Sequence, residues 1–208
     1  MKIFDCFQYF DEDMILDLRL NILDRYVDHF IIVENLFMHS GKKKKKNFDI
    51  NKFKKFKKKI IYILVDKLPE GLYDINSFSE KEKTNRTIDN SLKIEHNQRN
   101  KILSGLEEAH NDDLILISDI DEIPNLENIK SKIENKIILF RQKIFYYKFN
   151  LSYNSVPWIG TKAPKNINLI SPQWLRDLKN RKYPFWRLDI IFDKMKYSNI
   201  QFIENGGW

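Results

Sequence analysis

Apolar residues along this chain fall into short runs that close on a polar or acidic residue, and helical periodicities separate the runs. Lys2 to Tyr9 alternates loosely around Ile3, Phe4, Phe7 and Tyr9, which predicts a first strand. Phe30 to Val33 and Ile60 to Val65 predict the second and third. Leu114 to Ile117, an unbroken aliphatic run, predicts a strand covered on both faces. Between the first two strands, Asp11 is a plausible N-cap for a helix running to about Tyr26. Met14, Ile15, Leu18 and Ile22 form one apolar stripe of that helix and Leu16, Leu20, Leu23 and Val27 a second, so it is expected to be largely buried. Phe53 and Phe56 predict a short amphipathic helix, and residues 70 to 85 a surface loop. A long helix is predicted from Thr87 to Ala109 on the stripe Ile88, Leu92, Ile102, Leu103 and Leu106. Pro124 stops the fourth strand, and Leu126 to Ile133 predicts a short helix.

The later sequence is less regular. Lys136 to Phe149 predicts two strands or a bent one, and Leu188 to Phe192 and Ile200 to Ile203 two more. Residues 150 to 187 carry Trp158, Trp174, Trp186 and several prolines without clear period. They read equally as a loop-built aromatic pocket or as an irregular packed half. Strands alternating with helices predict an α/β fold with a mixed, mostly parallel sheet flanked by helices. The 208 residues are read as a single domain, with one half at about 1–135 and a second at about 136–208.

Composition narrows the class. A hydrophobic content of 42% with 13% aromatics excludes a disordered chain, and no apolar run is long enough to span a bilayer. One cysteine, Cys6, rules out an internal disulfide and a cysteine-based zinc site. The N-terminus lacks a signal peptide's apolar core, so a cytoplasmic location is expected. The net charge of +7 is local: residues 42 to 59 hold eleven lysines against Asp49, which leaves the rest of the chain at −3.

The chemistry gathers at strand ends. Glu34, Asp66 and the group Asp119, Asp121 and Glu122 each follow a predicted strand, and ligands of open α/β sheets sit beyond the carboxyl ends of strands. Asp119 and Asp121, at i and i+2 on an extended exit, can share one hard cation, which relieves their mutual repulsion. Glu34 and Asp66 are placed to accept hydrogen bonds from a nucleobase or ribose. Glu95 and Arg99 fall on the apolar stripe of the long helix at i, i+4. They can pair with each other, or Arg99 can face an anion at the sheet edge. No Walker loop and no Gly-x-Gly-x-x-Gly fingerprint is present.

Several blocks carry a resemblance. They are Phe4-Asp-Cys-Phe-Gln-Tyr-Phe with Leu16-Asp-Leu-Arg-Leu20, Val27-Asp-His-Phe-Ile-Ile-Val-Glu34 with Ser40-Gly-Lys42, and Gln98-Arg-Asn100 with Asp112 to Pro124. Tyr146-Tyr147, Trp158-x-Gly-Thr161 and Gly207-Trp208 continue the pattern. Together these resemble glycosyltransferase family 17, the β-1,4-mannosyl-glycoprotein β-1,4-N-acetylglucosaminyltransferase family. The resemblance implies a GT-A-like nucleotide-sugar-binding fold with an irregular C-terminal acceptor region. It also implies a UDP-sugar donor, N-acetylglucosamine in the animal members, and an inverting transfer assisted by Mn²⁺ or Mg²⁺. By position, Asp119-x-Asp121 would be the metal-binding motif, with Asp121 the first choice of ligand; the strand-end reading adds Glu34, Asp66, Arg99 and Asp119 as donor-binding residues. A glycan or lipid-linked sugar is the expected acceptor. Residues 42–59 are free to lean on an anionic membrane from its cytoplasmic side.

An inverting transfer needs a general base, and Glu122, Asp189 and Glu204 are the candidates. Other readings remain open. The family pattern continues past Gly-Trp, so the chain reads as a fragment, and a truncated or inactive member that only binds nucleotide-sugar is one alternative. A haloacid-dehalogenase-type phosphatase also sets Asp-x-Asp after a buried strand, but Ile123 stands where it wants Thr or Val and no downstream Gly-Asp motif follows. A basic nucleic-acid-binding module would use the lysines and the phenylalanines between them. It leaves the acidic strand ends without a role, so no nucleic-acid partner is expected.

Overall fold

The computed structural model describes every residue except 134, 135, 146, 148–150, 185, 187–192 and 194, together with the side chains of 154–156. Seven strands form one sheet: β1 (Ile3–Tyr9), β2 (His29–Asn35), β3 (Ile60–Val65), β4 (Leu114–Ser118), β5 (Ile137–Phe145), β6 (Ser152–Pro164) and β7 (Ile200–Ile203). Their order is β3-β2-β1-β4-β6-β5-β7. β1 runs parallel to β2 and β4, β2 to β3, and β5 to β7, whereas β6 is antiparallel to both its neighbours. The sheet is therefore mixed and mostly parallel, as the alternating pattern predicts.

Strand alternation sorts the core into two layers. On one face Ile3, Phe7, Leu114 and Leu116 pack with Leu16, Leu20 and Leu23 of α1 (Asp13–Leu23) and with Phe48, Phe53 and Phe56. On the other, Phe4, Cys6, Ile115 and Ile117 pack with Ile102, Leu106, Trp174 and Leu175. Asp49 caps a 3₁₀ helix over Ile50–Phe56, whose two phenylalanines are buried as their spacing predicts.

Four expectations shift. α1 starts at Asp13, with Glu12 rather than Asp11 at the N-cap, and it turns Met14 and Leu18 out to solvent. Its buried face instead includes Arg19. The long helix α2 spans Glu80–Asn100 and so begins inside the stretch read as a loop, and a 3₁₀ turn, Lys101–Gly105, finishes it. Its first turns lie against residues 71–78, and it meets the core only from Ile94 onward, which leaves Ile88 and Leu92 exposed. The short helix narrows to α3 (Ile129–Lys132). Finally, the segment without period contains β6 and the capped helix α4 (Pro172–Asp177). β6 is central yet buries Gly160, Thr161 and Lys162, so no apolar run announces it. The strand expected over 188 to 192 lies outside the described residues.

Candidate active site

The strand order reverses between β1 and β4: β2 and β3 lie to one side, and the chain returns on the other. A crevice at such a switch point is where α/β sheets take ligands. The loop leaving β4 holds Asp119, Asp121 and Glu122, and a buried cation fixes its backbone. Arg19 reaches across from α1 with no solvent exposure and pairs with both carboxylate oxygens of Asp5, its Nε at 2.8 Å and Nη2 at 2.6 Å. Nη2 also donates to Ser118 Oγ at 2.6 Å. Nη1 lies 3.0, 3.0 and 3.1 Å from the carbonyl oxygens of Asp119, Ile120 and Glu122. A carbonyl-rich turn is thus held by a guanidinium whose own charge is neutralised inside the fold.

The far side of the loop is held by β5 and β6. Thr161 Oγ1 donates to Glu122 O at 3.0 Å. Gln142 Nε2 donates to Ile123 O at 2.9 Å while its Oε1 accepts from Thr161 N at 2.7 Å. A Cβ on Gly160 would stand 1.7 Å from that Oε1, so only glycine leaves the Gln142 amide in place. Gly206 to Trp208 then lies along the loop: Ile123 N donates to Trp208 O at 2.7 Å and Trp208 N to Ile123 O at 3.1 Å.

Two arginines meet the carboxylates. Arg176, on α4, donates from Nη2 to Asp119 Oδ2 at 3.0 Å and from Nη1 to Glu122 Oε2 at 2.7 Å. Arg99, at the end of α2, pairs with Glu95 at 2.7 Å and reaches Asp119 Oδ1 at 3.3 Å. The pairing with Glu95 is the first of the two readings of Arg99; at the sheet edge the guanidinium meets the protein's own Asp119 carboxylate. Gln173 of α4 accepts a hydrogen bond from Arg99 and so ties the two arginines together. Glu122 is buried, and its oxygens accept from Asp119 N at 2.9 Å and Trp158 Nε1 at 3.0 Å besides Arg176. Asp121 is exposed, and its carboxylate makes no hydrogen bond or ion pair among the described residues.

α4 is itself secured by Lys162, which donates to the carbonyls of Arg176 and Leu178, both at 2.7 Å. Burial first, and then the nearby Arg176 charge, push the Lys162 amine down to about 7.

Two cavities share this loop as a wall. One, of about 850 Å³, lies over the ends of β1, β2 and β4 and is lined by Gln8, Asn35, His39, Gln98, Arg99 and Asp119 among others. Asn35 Nδ2 and Arg99 Nε are buried and have no hydrogen-bond partner among the described residues. The other cavity, of about 820 Å³, lies toward β5 and β6 and carries Phe145, Tyr153, Trp158 and Trp208. Ile15, Asp119 and Asp121 line both.

Three other predicted site residues sit elsewhere. Glu34 is fully buried and faces the 42–59 segment instead of the crevice. It accepts from Lys44 Nζ at 2.6 Å, Asn47 N at 2.7 Å, Phe48 N at 3.0 Å and Tyr62 OH at 2.8 Å. Burial alone would raise its pKa, but these donors outweigh it and hold the carboxyl below the ordinary range. Its neighbour Asn35 lines the cavity instead. Asp66 is exposed beyond the edge strand β3 and lines neither cavity. Glu204 pairs with Arg141 at 2.6 Å on the surface, also away from both cavities. Asp189 lies outside the described residues.

Asp5 and Arg19 fall inside the blocks that carry the resemblance but are given no role there, and Arg176 is not singled out at all. For the first two a signal exists, since an acid in mid-strand and an arginine on a leucine stripe need each other. For Arg176 we find none.

Sequence comparison supplies the class: the chain is a glycosyltransferase. A model described as glycosyltransferase family 17 matches residues 1–164, and the chain belongs to that family. Arg176 and α4 lie beyond the matched residues. Among solved structures, the chain is similar to a Francisella tularensis 2-C-methyl-D-erythritol 4-phosphate cytidylyltransferase. The TM-score is 0.38 at 11% identity, over 79% of this chain and 73% of that one. A likeness at that level says nothing of activity. A comparison with curated proteins gives no match.

Proposed function

We propose that this glycosyltransferase takes a UDP-sugar, with N-acetylglucosamine the first candidate, and transfers the sugar with inversion to a glycan or lipid-linked acceptor. The observation that carries the reading is the pair of cavities meeting at Asp119 and Asp121. One is rimmed by guanidinium and amide donors, as an anionic nucleotide requires; the other is walled by aromatic rings, whose faces suit a sugar's C–H surface. The acceptor hydroxyl attacks the anomeric carbon from the second cavity, the bond to the diphosphate breaks on the side of the first, and the hydroxyl proton passes to a base. Glu122 is already ion-paired to Arg176 and Glu204 lies elsewhere, so neither is free for that proton in this geometry.

Among the described residues no three His, Cys, Asp or Glu side chains converge on one point. A Mg²⁺ or Mn²⁺ ion needs no such cage when phosphate oxygens and water complete its shell, and the free carboxylate of Asp121 beside Asp119 fits that mode. Bound there, the ion would neutralise diphosphate charge. Arg99, oriented by Glu95 and Gln173, and Arg176, oriented by Glu122 and the Gly160 carbonyl, add positive charge toward the same group before any ligand arrives.

Calorimetry of UDP and UDP-sugars, with Mn²⁺ and with EDTA, tests the reading. Binding is expected with Mn²⁺, and Asp121→Ala is expected to abolish it. UDP binding indifferent to both EDTA and the substitution removes the metal site, and absence of binding to any UDP compound removes the donor assignment.

A further inference from the structure

The lysine-rich segment has a place in the fold that its sequence does not reveal. It crosses the sheet beside α1, on the same face, and is fixed at several points. Glu34 gathers Lys44 and the backbone of Asn47 and Phe48. Lys52 pairs with Asp13, Lys55 donates to Asn21 Oδ1 at 3.0 Å, and Lys59 donates to Val27 O at 3.0 Å. These contacts follow α1 from its first turn to just past its last. The backbone is thus a rigid strip about as long as the strands beneath it, roughly 20 Å. From it Lys42, Lys43, Lys45, Lys54, Lys57 and Lys58 stand exposed, with Asp49 the segment's only acid.

Beside the strip, α1 exposes Met14 at 75% and Leu18 at 45%. Asp11, Asp17, Asp28 and Asp121 are the exposed acids around α1, too few to cancel the strip. Phe48, Phe53 and Phe56, the rings that could have stacked on bases, are 3–4% exposed and belong to the core. Lysines with protruding aliphatics and a single exposed ring beside them, Phe10 under the Lys44 ammonium, fit an interface of headgroups and acyl chains better than a nucleic acid.

We propose that this face docks on an anionic lipid bilayer, the lysines over the headgroups and Met14 and Leu18 reaching the acyl boundary. Leu18 also lines the aromatic cavity, which then opens at the membrane surface. The docking does not depend on the donor assignment.

Flotation of the full chain with vesicles tests it. Binding is expected to phosphatidylcholine mixed with phosphatidylglycerol, to weaken with salt, and to be absent on phosphatidylcholine alone. At about fivefold per lysine, Lys54→Gln, Lys57→Gln and Lys58→Gln together should lower partitioning about a hundredfold. Met14→Ser with Leu18→Ser should lower it about tenfold while leaving the salt dependence unchanged. Circular dichroism checks that each variant folds. Equal binding to neutral vesicles, no vesicle binding, or duplex DNA bound more tightly than vesicles and lost with the same lysines would each overturn the proposal.

Discussion

Replacing Arg19 by Met probes the most heavily used side chain near the site. The substitution keeps length and apolar bulk but removes the only cation paired with Asp5 among the described residues, and Asp5 is itself wholly buried. It also withdraws a donor from Ser118 Oγ and from three loop carbonyls. Two of these carbonyls keep a second donor: Asp119 O from Glu122 N, and Glu122 O from Thr161 Oγ1. Ile120 O has no other among the described residues. Breaking one partner of a buried ion pair costs about 3–5 kcal/mol, a large share of the about 5–15 kcal/mol that stabilises a typical domain. Removing both charges with Asp5→Leu and Arg19→Met should recover most of this and leave a deficit of about 1–2 kcal/mol from the unpaired loop. Denaturant unfolding followed by tryptophan fluorescence gives the double-mutant cycle. UDP binding should stay impaired in the double variant, because the loop remains unclamped although the fold is restored. The reasoning fails if Arg19→Met costs less than about 1 kcal/mol, or if the double variant loses the sum of the single losses.

Two further expectations follow from the same corner. The Lys162 amine titrates near 10.5 unfolded but at about 7 folded, so between these values the unfolded chain holds the extra proton. Stability should therefore rise with pH across that window, by at most about 1.4 kcal/mol per unit, and Lys162→Met should flatten the rise. Denaturation midpoints should be compared below about pH 8.5, before the buried Cys6 thiol and then Tyr9 and Tyr62, all with raised pKa values, add an opposing slope. Arg176→Met should lower sugar transfer by about ten- to a hundredfold through lost diphosphate stabilisation, with Arg176→Lys intermediate. Unchanged turnover in steady-state assays would show that Arg176 serves only to hold Asp119 and Glu122.

β2 and β4 were readable because each carries an aliphatic run covered on both faces, β1 through a looser alternation of apolar residues, and β3 as an aliphatic run that lies on the sheet edge and is only partly buried. The carboxylates after β4 were readable for the same reason, since a core strand that ends in charge delivers it to an edge. Sequence alone misjudged Glu34. A strand-end acid looks the same whether it faces a ligand or, as here, folds back a basic segment through Tyr62 and two amides. It also missed β6, where glycine, threonine and lysine occupy buried positions because they bond to the loop and to α4 rather than pack. Arg176 lies 57 residues from Asp119 along the chain, and no local pattern links the two.

The wall between the cavities has a consequence for binding on either side of it. Ile15, Asp119 and Asp121 face both spaces. A molecule settling on one side therefore alters a surface the other side must use. Linked binding is reciprocal, so whatever factor the first ligand imposes on the second, the second returns to the first. Two ligands divided by so thin a partition are expected to bind interdependently, by the same factor whichever enters first.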